Sequence, residues 1–172
     1  MIRECLAACV AAWLVVPAAG CSLILDFSDR AVPVDAGPDA PYSAQECAYK
    51  EPNDSVAAAA SIAPGDSGPA AICAGAVEDH DYYRFIVPSG TTRVEIRVDA
   101  MFRQGGDLDL KLYDPSATML SESRTFMDQE RITCPGTVPS CAALAPGAYV
   151  VEVFPAMMGE VNRYTFTLTL TP

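Results

Sequence analysis

From Tyr82 to its end the chain repeats one pattern: apolar side chains at every second position, in runs too short for a helix to use, separated by Gly, Pro, Asp and Ser. Tyr83, Phe85 and Val87 alternate with Tyr82, Arg84 and Ile86, and Val94, Ile96 and Val98 alternate with Arg93, Glu95 and Arg97. Leu108, Leu110 and Leu112 alternate with Asp107, Asp109 and Lys111, and Asp114-Pro115 closes the run. A further strand is expected over Ala148 to Phe154, and a last one where Tyr164, Phe166, Leu168 and Leu170 alternate with four threonines. Successive strand side chains point to opposite faces, so each run has one face for a core and one for water. No stretch of similar length has a helical period. The pattern predicts an all-β fold that closes as an antiparallel, jelly-roll-like β-sandwich.

The first twenty residues carry a different signal. Arg3 precedes an apolar stretch from Cys5 to Val16, then Pro17-Ala18-Ala19-Gly20-Cys21. About 12 apolar residues suit a signal peptide and fall short of the roughly 20 needed to span a bilayer. Small residues directly before Cys21 resemble the bacterial lipoprotein processing site. That resemblance implies cleavage after residue 20, with diacylglycerol and a fatty acid on Cys21. Ala18 stands where such sites usually carry Leu, and ordinary cleavage after an Ala-x-Ala-like site is the alternative. Ser22 follows the cysteine where Asp would imply inner-membrane retention, so the resemblance implies an outer-membrane lipoprotein, with the occupied face left open. Residues 21–45 then form the lipidated N-terminus and a Pro-, Asp- and Ala-rich tether, in which Pro33, Pro38 and Pro41 favour extended backbone. The domain itself is expected over residues 46–172.

A formal charge of −11 repels a phosphate backbone, which argues against nucleic acid as a partner. Beyond the leader and Cys21 remain Cys47, Cys73, Cys134 and Cys141. In an exported chain four cysteines suggest two disulfides, and sequence alone admits three connectivities. The expected pairs are Cys47 with Cys73, bracketing the lead-in segment, and Cys134 with Cys141, bracketing a short Pro-Gly-containing loop.

Several motifs in order resemble the bacterial pre-peptidase C-terminal domain, a jelly-roll-like sandwich appended to many secreted peptidases. They are Glu51-Pro52-Asn53-Asp54-Ser55, Gly75-Ala76-Val77 leading to Asp79-His80-Asp81-Tyr82-Tyr83-Arg84-Phe85, Asp107-Leu108-Asp109-Leu110-Lys111-Leu112-Tyr113-Asp114, and Pro146-Gly147-Ala148-Tyr149-Val150-Val151-Glu152-Val153. The resemblance covers most of residues 46–172. It implies a non-catalytic accessory module that binds protein or polysaccharide, with calcium in some members. With no peptidase in these residues, such a module would act as a tethered unit or with a separate partner.

One Ca2+ is expected on side-chain oxygens of Glu51, Asn53, Asp54, Asp79 and Asp81. Calcium takes six to eight oxygen ligands, so several carboxylates must converge. A Cys47–Cys73 bond would draw the two acidic segments together. Calcium-binding members of the resembled family use carboxylates and an Asn in matching segments, but Tyr49 stands where collagenase-type members carry an earlier Glu, which speaks against a two-ion site. The competing reading makes Asn53-Asp54-Ser55 a local turn and leaves Asp79 and Asp81 solvated.

His80 is the only histidine, and an acid–base role with Ser43, Ser67 or Ser89 as nucleophile can be drawn. No Gly-x-Ser-x-Gly elbow is present, and Asp79 and Asp81 as sequence neighbours do not orient the ring, so His80 reads as a surface or turn residue. Tyr82, Tyr83, Phe102 and Tyr113 read as core aromatics before a binding face. Phe154-Pro155 and Met157-Met158-Gly159 read as a turn that plugs one end of the sandwich, with an adaptable contact surface as the alternative. The expected function is thus a membrane-tethered binding or accessory module rather than an enzyme. A purely structural envelope lipoprotein comes second and a hydrolase third.

Overall fold

A computed structural model describes residues 42–74, 78–101 and 106–172. The leader, Cys21, the tether through Pro41, Gly75-Ala76-Val77 and Phe102 lie outside the described residues. One helical turn, α1 (Ala44–Cys47), precedes strands β1 (Ala60–Ser61), β2 (Pro69–Ile72), β3 (Asp81–Val87), β4 (Arg93–Ala100), β5 (Leu108–Tyr113), β6 (Met119–Ser123), β7 (Gln129–Cys134), β8 (Gly136–Thr137), β9 (Ser140–Cys141), β10 (Gly147–Pro155) and β11 (Asn162–Thr171). One sheet has the order β1-β3-β10-β5-β6, the other β2-β11-β4-β7, and β8 with β9 forms a small ladder. The pairings are antiparallel except that of β1 with β3. The chain is an all-β sandwich.

The alternation decides which faces meet. Tyr83, Phe85, Val87, Leu108, Leu110, Leu112, Val151 and Val153 line the inner face of the five-stranded sheet. Val94, Ile96, Val98, Ile132, Tyr164, Phe166 and Leu168 line the four-stranded one, and both sets join in a single core cluster. Tyr83 and Phe166 meet across the layers at 5.1 Å between ring centroids. Burying each such side chain stabilises the fold by roughly 1.5–3 kcal/mol, so the two inner faces dominate its stability.

Three expectations need correction. Asp109 and Glu152 sit at outward positions yet are only 2% exposed, because β5 and β10 are covered on both faces. Phe154-Pro155 completes β10 instead of turning, and Met157 and Met158 do not plug the sandwich: they are 66% and 89% exposed. Of the aromatics read as core, Tyr83 is fully buried, whereas Tyr82 and Tyr113 lie half-buried on the outer face.

The lead-in segment is fixed to this frame by covalent and polar bonds. Ser43 and Glu46 form a capping box on α1: the Ser43 Oγ accepts from the Glu46 N–H and the Glu46 Oε2 accepts from the Ser43 N–H. The last residues assigned to the tether are therefore part of this turn. Cys47 is bonded to Cys73 with Cα atoms 5.9 Å apart, and Cys134 to Cys141 with Cα atoms 5.0 Å apart, the two expected pairs. Tyr49 closes over Gly68 so tightly that a Cβ there would lie 2.4 Å from the ring. That ring packs on the core.

Candidate metal centre

At the start of β3 the two acidic segments meet. Three local bonds bring them together. The Asn53 carbonyl accepts from the Tyr82 N–H at 2.9 Å, which ties the lead-in to β3. The Glu51 Oε2 accepts from the Asn53 N–H at 2.8 Å, and the Asp79 Oδ2 accepts from the Cys73 N–H at 2.6 Å, beside the disulfide. As a result one carboxylate oxygen from each of Glu51, Asp54 and Asp79 lies within 4.8 Å of the other two. Oxygens that share one ion at about 2.4 Å can be no more than about 4.8 Å apart, so this is ligand spacing.

Asp81 and Asn53 close the inner side. Asp81, the first residue of β3, points inward and is 1% exposed. Its Oδ2 accepts from the Tyr164 hydroxyl, which stands 2.7 Å from the Tyr83 hydroxyl. Asn53 is 0% exposed, and neither its Oδ1 nor its Nδ2 has a partner at hydrogen-bond geometry. A buried side-chain amide that lacks well-aligned partners is costly, by about 1–3 kcal/mol for one left wholly unpaired, and an amide oxygen is chemically suited to a cation.

Electrostatics agree with the geometry. Burial pushes the Asp81 carboxyl well above the usual range; the Tyr164 hydroxyl and, more weakly, the nearby Asn53 amide oppose this, and the charges of Asp79 and Glu51 add to it. Burial also raises Glu51, against the Asn53 N–H and with the charges of Asp54 and Asp79. Asp79 is raised by burial and then by Asp54, against the Cys73 N–H. Carboxylates so close repel one another unless a proton or a cation lies among them. Of the five residues expected from the sequence, Glu51, Asp54 and Asp79 form one carboxylate cluster, and Asn53 and the inward-pointing Asp81 lie buried at the same end of β3.

The same shifts set the pH dependence of the metal-free protein. Glu51, Asp79, Asp81 and Asp107 are all raised, and Asp109 is raised from 3.8 to about 6. A carboxyl with a raised folded-state pKa contributes stability that is full below its unfolded value and lost as pH rises through the folded one. In chelator the thermal midpoint is therefore expected to rise between pH 7 and pH 5. A midpoint that falls steadily over that range would contradict these environments.

What the sequence missed is the hydroxyl of Tyr164, 83 residues from Asp81, which read only as core. His80 has its partner elsewhere as well. Its Nδ1 lies 2.7 Å from Oε1 of Glu152 on β10, and the Tyr113 hydroxyl donates to the other oxygen of that carboxylate at 2.5 Å. Ser43 is engaged as a helix cap, and Ser89 lies beyond the far end of β3.

These features define an all-β sandwich with an acidic cluster at one end. No family model matches the sequence, and no curated protein does. Among solved structures, the chain is similar to the pre-peptidase C-terminal domain of collagenase from Bacillus anthracis, with 16% identity and a TM-score of 0.49, over 63% of this chain and 92% of that one.

Proposed function

We propose that this chain is a non-catalytic binding module, held on the bacterial envelope through lipid on Cys21 and organised at one end by a single calcium ion. One observation carries the calcium reading: carboxylates of Glu51, Asp54 and Asp79 at ligand spacing, beside a buried Asn53 amide whose Oδ1 and Nδ2 meet no partner at good hydrogen-bond geometry. With Asp81 they would supply five oxygen-bearing side chains of the hard type that calcium takes, the remaining ligands being backbone carbonyls or water. The ion would neutralise the repulsion and fix the lead-in to β3. It would thereby order the end of the sandwich at which a protein or polysaccharide is held.

Thermal unfolding tests this reading. A ligand bound at a hundredfold excess over Kd stabilises the folded state by about 2.7 kcal/mol, which for a domain of this size is roughly 10 °C. Calcium is expected to raise the midpoint by about that much over chelator, and Asp79→Asn to remove most of the increment. A midpoint indifferent to calcium would leave Asn53-Asp54-Ser55 as a turn and nothing more.

A further inference from the structure

The end of the sandwich that carries the acidic cluster has a second feature. The register pairs Asp81 with Val153 and Leu108 with Pro155, so the start of β3 and the start of β5 lie at one end of the five-stranded sheet. There the β6–β7 connection (124–128) and the β10–β11 connection (156–161) enclose a cavity of about 330 Å3. Its charged lining is three carboxylates, Asp107, Asp109 and Glu160, against one guanidinium, Arg124. Arg124 is already committed: its Nε donates to Asp109 Oδ2 at 2.9 Å. The Glu160 carboxylate accepts from the Met157 N–H at 2.9 Å, which holds the β10–β11 connection in place.

The wall is apolar and exposed. Phe126 and Met157 line the cavity at 101% and 66% exposure, and their neighbours Met127 and Met158 are 67% and 89% exposed. Large apolar side chains gathered on two loops around a concave site mark a surface that a partner covers, and Met adapts its shape to what it meets. The carboxylates ask for positive charge. Burial and then the charges of Glu130 and Glu160 raise Asp107, and burial raises Asp109 to about 6 against Arg124. A cation brought into the cavity would relieve that cost.

The geometry points to a docking site for an arginine side chain of a partner protein, its guanidinium on Asp107 and Glu160 and its stem against Phe126 and Met157. An arginine covers apolar side chains with its stem while its guanidinium bonds carboxylates, which a metal ion cannot do. Apolar residues beside that arginine would cover Met127 and Met158. This assignment deepens the binding-module reading and rests on it.

The test uses the full chain with 13C-methyl methionine, titrated with a capped pentapeptide that carries arginine between two leucines. Control titrations use the same peptide with neutral citrulline, and spermidine. Expected are a saturable shift of the Met157 methyl signal, binding at least tenfold weaker for citrulline, and at least fivefold weaker binding in Asp107→Asn and Phe126→Ala chains whose thermal midpoints do not fall. No saturable shift, or equal binding of the citrulline peptide, overturns the assignment. Spermidine binding as tightly as the peptide also overturns it, in favour of a free polyamine. Calcium titration of the same sample separates the two readings: calcium binding without peptide binding sinks only the arginine site, and peptide binding without calcium binding sinks only the metal.

Discussion

Replacing both Cys47 and Cys73 with Ala is expected to lower the thermal midpoint of the domain by on the order of 12 °C and to weaken calcium binding at least tenfold. The bond closes a loop of 26 residues, for which the chain-entropy model gives roughly 3.5 kcal/mol. At the entropy of unfolding of a domain this size that is about 12 °C. The metal effect has a separate cause. Asp79 is held by the Cys73 N–H, and Glu51 and Asp54 follow closely on Cys47, so the bond carries the two halves of the cluster on one staple. Differential scanning calorimetry with and without calcium reads both effects. A double variant that melts within 3 °C of the parent, or binds calcium equally well, would show that strand pairing alone sets this geometry.

The second large effect concerns the anchor. Cys21→Ser is expected to abolish acylation and to move the protein from the membrane fraction to the soluble one. Cys21 alone among the seven cysteines directly follows the small residues that end the apolar leader. Each acyl chain contributes about 0.8 kcal/mol per buried CH2, and stable attachment takes more than one chain. Metabolic labelling with a fatty acid followed by fractionation reads the outcome. A serine variant that still labels and still pellets with membranes would show that the attachment lies elsewhere.

The architecture was legible where burial alone decides the residue. Period-two runs located the longer strands and their inward sets, because one face of each had to be apolar. That logic failed at Asp109 and Glu152, where a second layer of side chains covers the outer face. The Arg124 guanidinium pairs with one, and His80 and Tyr113 bond the other. These partners are far apart in sequence from the carboxylates they bond, and nothing local in the sequence pairs them.

The convergence of Glu51, Asp54 and Asp79 was legible because they crowd into two short motifs, and spacing to Cys47 and Cys73 brought those motifs together. The depth of Asn53 and the Tyr164 bond to Asp81 were not legible. They arise only when β3 and β11 face each other across the core. The exposed methionines were misassigned for a related reason: a turn at the end of a sandwich can fold over its core or away from it, and composition does not say which.

Glu51, Asn53, Asp54, Asp79 and Asp81 are proposed to hold one calcium ion. Isothermal titration of chelator-treated protein at pH 7.5 tests it most directly. One site per chain is expected, lost in Asp79→Asn and in Glu51→Gln, with protons released on binding and affinity falling towards pH 5 as protons compete with the ion for the raised carboxylates. Absence of calcium heat at millimolar concentration, or binding that both substitutions leave intact, would contradict it.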